Sequence, residues 1–234
     1  MLTYIKLFLI VIHTIIWSLI ALLSLAVDRS YTMYFWVSRM FPKGILDISR
    51  IKLKVTGLEN LDSSELYVYV SNHSSMYDIP AMQIAFPNRA TMMFKKELAK
   101  IPIFGWQLYL GPYIIVDRES GEKARKSIDR AIDQMKKRRI SLLLFAEGTR
   151  SKTGEVQPFK RGAFNLAAKI GVPVVPTSIS GTAAILPKGK LRITPGTITV
   201  HFDKPIPTTN VKNRADEIEL MNKVREIVIQ NKVN

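Results

Sequence analysis

"ISLLLFAEG", residues 140–148, runs apolar from Leu142 to Ala146 without alternation and then breaks into Glu147 and Gly148. A strand with one wet face alternates apolar and polar side chains. An unbroken apolar run ending in a polar turn is a strand covered on both faces, as in the middle of an α/β sheet. The neighbouring stretches agree. "EKARKSIDRAIDQMKKRR" (122–139) sets Ala124, Ile128, Ala131, Ile132 and Met135 on one stripe with charge opposite, the pattern of a covering helix. "GAFNLAAKIG" (162–171) reads as a helix closed by Gly171, and "VPVVPTSI" (172–179) as the strand after it.

Upstream, "IKLKVTG" (51–57), "ELYVYVSN" (65–72), "ATMMF" (90–94) and "PYIIVD" (112–117) read as strands. Downstream, "KLRITPGTITVHF" (190–202) predicts a hairpin about Pro195 and Gly196, followed by a helix from about Ala215 to Gln230. Strands alternating with helices predict an α/β fold, a mainly parallel or mixed sheet flanked by helices. At 234 residues the chain holds one domain of catalytic size and an appendage.

The appendage is N-terminal. Residues 7–27, "LFLIVIHTIIWSLIALLSLAV", contain no Asp, Glu, Lys or Arg, and as a helix they reach about 30 Å, a bilayer core. The run is too long for the apolar part of a secretory signal, although "SLA" (24–26) has the small residues of a cleavage site. A buried core helix is the other alternative. The aromatic stretch "YTMYFWVSRMFP" (31–42) suits the headgroup level, so residues 1–48 are expected to anchor the α/β domain, 49–234, to a membrane. Between residues 28 and 54 six Lys or Arg stand against two Asp, while Lys6 alone marks the other flank; this predicts a cytoplasmic site.

The net charge is +15, and a surface that basic seeks phosphate. With an apolar anchor present, the expected source is anionic phospholipid rather than nucleic acid. Zero cysteines exclude disulfides, thiolate metal sites and a cysteine nucleophile. No carboxylate or histidine cluster has metal-ligand spacing, so no metal or other cofactor is expected. "GTRSKTGE" (148–155) lacks the spacing of a phosphate-binding NTPase loop, and no G-x-S-x-G elbow occurs.

The polar residues that follow strands are the candidates, because such sheets bind ligands beyond the carboxyl ends of their strands. In "NHSSMYD" (72–78), His73 and Asp78 stand five apart, about 140° around a helix, so His73 must precede the helix for the two to meet. Asp78 then has two readings: the carboxylate orienting a His73 base, or a helix cap, with Ser75 in a capping box or itself ahead of Pro80. Arg118 and Arg150, with Lys160 and Arg161, could clamp a phosphate. Glu147 reads equally as an internal partner of an arginine or as a substrate contact. His13 and His201 read as structural.

Four stretches, "NHSSMYD" (72–78), "GPYIIVDR" (111–118), "FAEGTRS" (145–151) and "VPVVPTSISGT" (172–182), in this order resemble the blocks of the glycerolipid acyltransferases. The resemblance covers residues 66–182, with Ala146 where that block commonly has Pro, and implies that family's αβ fold. It implies His73 as general base and Asp78 as its partner, and Arg118, Glu147, Gly148, Thr149 and Arg150 as the phosphate-holding residues. The implied reaction is acyl transfer from acyl-CoA or acyl carrier protein to the sn-2 hydroxyl of lysophosphatidic acid at a bacterial inner membrane. A relative acylating glycerol 3-phosphate or another lysophospholipid, and a non-catalytic basic membrane-tethered protein, are the alternatives.

Overall fold

The computed structural model describes residues 2–116 and 121–233. Its strands are β1 (Ile51–Thr56), β2 (Val68–Ser71), β3 (Ala90–Lys95), β4 (Ile114–Val116), β5 (Ser141–Phe145), β6 (Val174–Ser180) and β7 (Gly196–Phe202). They form one sheet in the order β1-β7-β6-β2-β5-β3-β4. Neighbours are parallel except β6 and β7, which run antiparallel. The run that predicted a doubly covered strand is β5, paired on both edges by β2 and β3.

The helices are α1 (Leu2–Val27), α2 (Thr32–Ser49), α3 (Asp78–Ala85), α4 (Phe104–Leu110), α5 (Gly121–Arg138), α6 (Gly162–Ile170), α7 (Thr182–Ile185) and α8 (Arg214–Gln230). Alternation along β2 sends Tyr67 and Tyr69 to one face and Val68 and Val70 to the other. On the first face Leu46 of α2, Met82 of α3 and Ile185 of α7 pack with Leu143 and Ile179. On the second, Met135 of α5, Phe164 of α6 and Val224 of α8 pack with Leu142. Each fully buried leucine or phenylalanine contributes roughly 1.5–3 kcal/mol.

The hairpin expected about Pro195 and Gly196 does not form. β7 runs parallel to β1 along one edge and antiparallel to β6 along the other, so it has no free edge for residues 190–195. Burial chose those partners: Ile198, Val200 and Phe202 are fully inside.

α1 and α2 form an antiparallel helical hairpin laid against the domain. At its open end the buried Lys6 donates from Nζ to the carbonyl of Ser49 at 3.0 Å, meeting the negative end of α2. At its tip Arg89 of the domain donates to Ser30 O (3.3 Å) and Thr32 Oγ1 (2.6 Å). Ser49 in turn bonds the Tyr77 hydroxyl of the α/β layer through its own hydroxyl, so both ends of the hairpin touch that layer. The expectation that Lys6 flanks the anchor on the far side from residues 28–54 is corrected by these contacts. Where the two helices come closest, Gly44 faces His13; a Cβ on Gly44 would lie 2.2 Å from the imidazole Cε1. His13 itself bonds Phe41 O through Nε2 at 2.9 Å, and His201 bonds Thr56 through Nδ1 at 2.9 Å, so both are structural.

Candidate active site

β2, β5 and β6 run parallel, and the chain leaving each of their carboxyl ends turns toward one point. After β2, the Asn72 side chain spans to β6: its Nδ2 donates to Ile179 O (2.9 Å) and its Oδ1 accepts from Ile179 N–H (2.8 Å). That side chain closes the gap where the backbone ladder ends, and it fixes the start of the next residue, His73.

His73 lies in the turn before α3, as the five-residue spacing required. Its ring stacks on Phe145 at the end of β5, with centroids 4.0 Å apart and planes 14° from parallel. Nδ1 meets Oδ2 of the fully buried Asp78 at 2.7 Å. The same oxygen accepts the backbone N–H groups of Ser74 (2.7 Å) and Ser75 (2.8 Å). Asp78 thus orients the imidazole and braces the turn ahead of the helix, and the cap reading is corrected, because among the described residues no side chain caps α3. Asp78 is the first helical residue, with Tyr77 at the cap position. A carboxylate at Nδ1 holds the proton there and leaves Nε2 as the proton acceptor. That Nε2 has no hydrogen-bond partner among the described residues, and the side chain is 15% exposed.

The chain leaving β5 wraps around the same turn. Glu147 points inward, 3% exposed, and its Oε1 accepts the His73 N–H at 2.9 Å. It braces the His73 turn from behind, inside the protein. Burial pushes its carboxyl up to about 7; N–H groups of His73 and Gln157 oppose the rise, nearby Asp78 adds to it, and Arg225 opposes it. Gly148 takes φ +74°, a conformation glycine adopts without a Cβ penalty, and a Cβ there would meet Lys160 Nζ at 2.9 Å. Ser151 N–H then donates to His73 O at 2.7 Å, tying the two turns together.

Thr149 is exposed and Arg150 half-exposed at the mouth of the site. Arg161, expected beside them, instead pairs with Glu217 of α8, and Glu217 also accepts from Asn165 at 2.7 Å. The phosphate clamp loses that member, because a partly buried carboxylate holds it elsewhere. Arg118 lies outside the described residues. β4 runs parallel to β3, so its carboxyl end faces the same edge of the sheet as the His73 turn.

Sequence reading missed Lys188. After α7 the chain folds back, Ser75 Oγ donating to Leu186 O at 2.8 Å. Lys188 then donates from Nζ to Arg150 O (2.6 Å) and Thr149 Oγ1 (3.2 Å). The only sequence signal was the turn chemistry of "PKG" (187–189), where Gly189 has φ +83°. An apolar cavity lies among α1, α2, α3 and α4, lined by Trp17 of α1, Tyr34 of α2, Ile79 of α3 (the residue after Asp78), Met92, Phe104 of α4 and Tyr113. No group of three or more metal-ligating side chains comes together among the described residues.

Compared with known proteins, residues 52–180 match the family model described as Acyltransferase, more than half of the chain. The chain belongs to this acyltransferase family. It is 34% identical over 182 residues to the 1-acyl-sn-glycerol-3-phosphate acyltransferase of Saccharomyces cerevisiae, covering 76% of this chain and 59% of that protein. It is 32% identical to the protein of the same name from Cocos nucifera, covering 84% and 64%. The chain therefore spans less than two thirds of the length of either relative. The crystal structure of the 1-acyl-sn-glycerophosphate (LPA) acyltransferase PlsC from Thermotoga maritima superposes with a TM-score of 0.85 at 26% identity. That likeness covers 98% of this acyltransferase chain and 92% of the other, so it includes the N-terminal helices as well as the sheet.

Proposed function

We propose that this acyltransferase moves an acyl group from acyl-CoA or acyl carrier protein to the sn-2 hydroxyl of 1-acyl-sn-glycerol 3-phosphate, forming phosphatidic acid. The observation that carries the reading is the His73–Asp78 pair, with Nδ1 bonded and Nε2 open at the mouth of the site. A base without a protein nucleophile suits a reaction in which the substrate hydroxyl is the nucleophile. His73 Nε2 takes the hydroxyl proton as that oxygen attacks the thioester carbonyl, and Asp78 stabilises the imidazolium that forms. The tetrahedral intermediate collapses, the C–S bond breaks, and the imidazolium returns its proton to the leaving thiolate. Arg150, Thr149 and Lys188 stand where a glycerol-linked phosphate would be held, with Arg118 as the further cation of the clamp.

We assign residues 1–48 to membrane anchoring and 49–234 to catalysis. α1 supports this because it is inside out: Lys6, Ser18, Ala21 and Ser24 face the protein, while Phe8, Val11, Ile16, Leu19 and Leu23 face away from it. Thr3–Val27 is long and apolar enough to cross a membrane, and water is a poor medium for such an outer face. The two contacted ends of the hairpin favour its lying along one leaflet. An acceptor dissolved in that leaflet reaches the apolar cavity without leaving lipid. The site would then face the cytoplasm at a bacterial inner membrane, where soluble acyl donors are available.

The test is thiol release from acyl-CoA by purified protein in liposomes carrying lysophosphatidic acid, wild type against His73→Ala. Release that requires the acceptor and falls about 10²–10⁴-fold in the variant is expected. Release unchanged by the substitution overturns the mechanism. Offering acyl carrier protein donors and glycerol 3-phosphate in the same assay separates the donor and acceptor alternatives.

A further inference from the structure

The amide of Gln107 on α4 faces inward, and only that inner side of the helix is covered by the protein. Phe104, Gln107 and Leu108 turn inward and line the cavity shared with Trp17 and Ala21 of α1. Trp106, Tyr109 and Leu110 turn outward and are 53%, 66% and 57% exposed. Just before them, Leu98 and Ile101 are also exposed. An apolar outer face belongs in a core or against lipid, and here no core covers the outer side.

The patch is rigidly built. The chain reaches α4 through a γ-turn in which Phe104 N–H donates to Pro102 O at 2.7 Å, with Ile103 at φ +64° and ψ −62°. A β-branched residue keeps that conformation only where its surroundings enforce it. Gly105 packs so closely on the preceding turn that a Cβ would lie 2.5 Å from the carbonyl oxygens of Leu98 and Ala99. These contacts hold the aromatic side chains outward.

Its chemistry identifies the occupant. Lys100 and Arg130 line the same shallow groove as Trp106, Tyr109 and Leu110. An apolar strip edged by cations matches the boundary of a bilayer, with acyl chains against the strip and lipid phosphate against the cations. Trp and Tyr favour that depth because each has an apolar body and a polar tip. α4 also packs against α1, whose own outward residues are apolar.

We propose that the outer face of α4, with Leu98 and Ile101, is a second membrane-contacting surface that seats at the headgroup level of anionic lipid. It sets the depth and tilt of the site, while the helical hairpin supplies the anchor. This rests on the membrane reading of the N-terminal helices.

The experiment uses the full chain with single tryptophans. W17F/W36F leaves Trp106 as the reporter for α4, and W17F/W106F leaves Trp36, 58% exposed on α2, as the reporter for the hairpin. Vesicles of phosphatidylcholine and phosphatidylglycerol carry bromine at a shallow acyl position. Loss of about half of the Trp106 emission is expected, as for a ring held at the interface. Quenching of Trp36 without Trp106 overturns this proposal and leaves the anchor standing; quenching of neither overturns both. Trp106→Ser with Tyr109→Ser should raise KM for vesicle-borne lysophosphatidate about tenfold and leave turnover in detergent micelles unchanged. Lys100→Gln with Arg130→Gln should abolish the preference for phosphatidylglycerol. A face that instead pairs two copies of the chain would make wild type, but not Trp106→Ser with Tyr109→Ser, dimeric in detergent, and that result also overturns the proposal.

Discussion

Asp78 places three donors on a single buried oxygen, and the catalytic role proposed for it can be separated from its structural role by chemistry rather than by deletion. Asp78→Asn keeps the size of the side chain and an oxygen for the Ser74 and Ser75 N–H groups. It removes the charge that favours the imidazolium and permits the wrong tautomer of His73. The expected result is a kcat about 10²–10⁴-fold lower with KM and melting temperature nearly unchanged, read by steady-state kinetics and thermal unfolding. Glu147 gives a pH prediction. Its folded value of about 7 lies above the ordinary 4.5, so between those values the native chain holds a proton that the unfolded chain has lost. Its contribution therefore falls as pH rises through that window and then levels off. Glu147→Gln still accepts the His73 N–H and cannot titrate. Its stability relative to wild type should rise by on the order of 1–3 kcal/mol from pH 4.5 to pH 8, measured by denaturant unfolding at each pH. Lys188→Met should raise KM for lysophosphatidic acid about tenfold while leaving kcat within about threefold, the mark of a group that binds without joining the chemistry.

At the scale of elements, sequence pattern and structure agree where one period dominates. The apolar run from Leu142 to Ala146, the strand before His73 and the helix closed by Gly171 were legible because burial and turn chemistry act locally. β7 was misread as half of a hairpin because β6 pairs with it across α7 and the following loop and β1 is the first strand in the chain, partners that only packing selects. The site divides in the same way. His73 and Asp78 sit in one contiguous stretch, so their spacing could be reasoned about. Lys188 reaches the site only after α7 folds back, and Arg161 is drawn off by Glu217 of α8, relations that no local window contains. The helical hairpin offers a test of contact at this scale. Gly44→Ala would force a Cβ against the His13 ring and should cost about 1–3 kcal/mol. Adding His13→Ala removes the obstacle, and the double variant should recover part of that loss in a double-mutant cycle of unfolding free energies.

For the whole molecule the question is how an apolar helix long enough to cross a bilayer sits on a domain that touches both ends of its hairpin. At the open end Lys6 meets Ser49, whose hydroxyl bonds Tyr77 of the domain, and at the tip Arg89 of the domain meets Ser30 and Thr32, 59 and 57 residues away in sequence. A hairpin standing across the bilayer would put its tip on the side opposite the domain and break the Arg89 contacts. A hairpin lying in one leaflet keeps them and leaves its outward Phe, Leu, Ile and Val in acyl chains. The chain has no cysteine, so introduced thiols report their own position without background. Ser30→Cys at the tip and Ser63→Cys in the domain, each made singly, should both react with a membrane-impermeant maleimide added to the domain side of sealed vesicles. Reaction of Ser63→Cys alone, with Ser30→Cys labelled only from the opposite side, would mean that the hairpin spans and that the Arg89 contacts do not survive in the membrane. Labelling of both from one side places the His73 turn, the cavity and the acceptor lipid at the same leaflet, the arrangement that lets an insoluble acceptor and a soluble donor meet at one base.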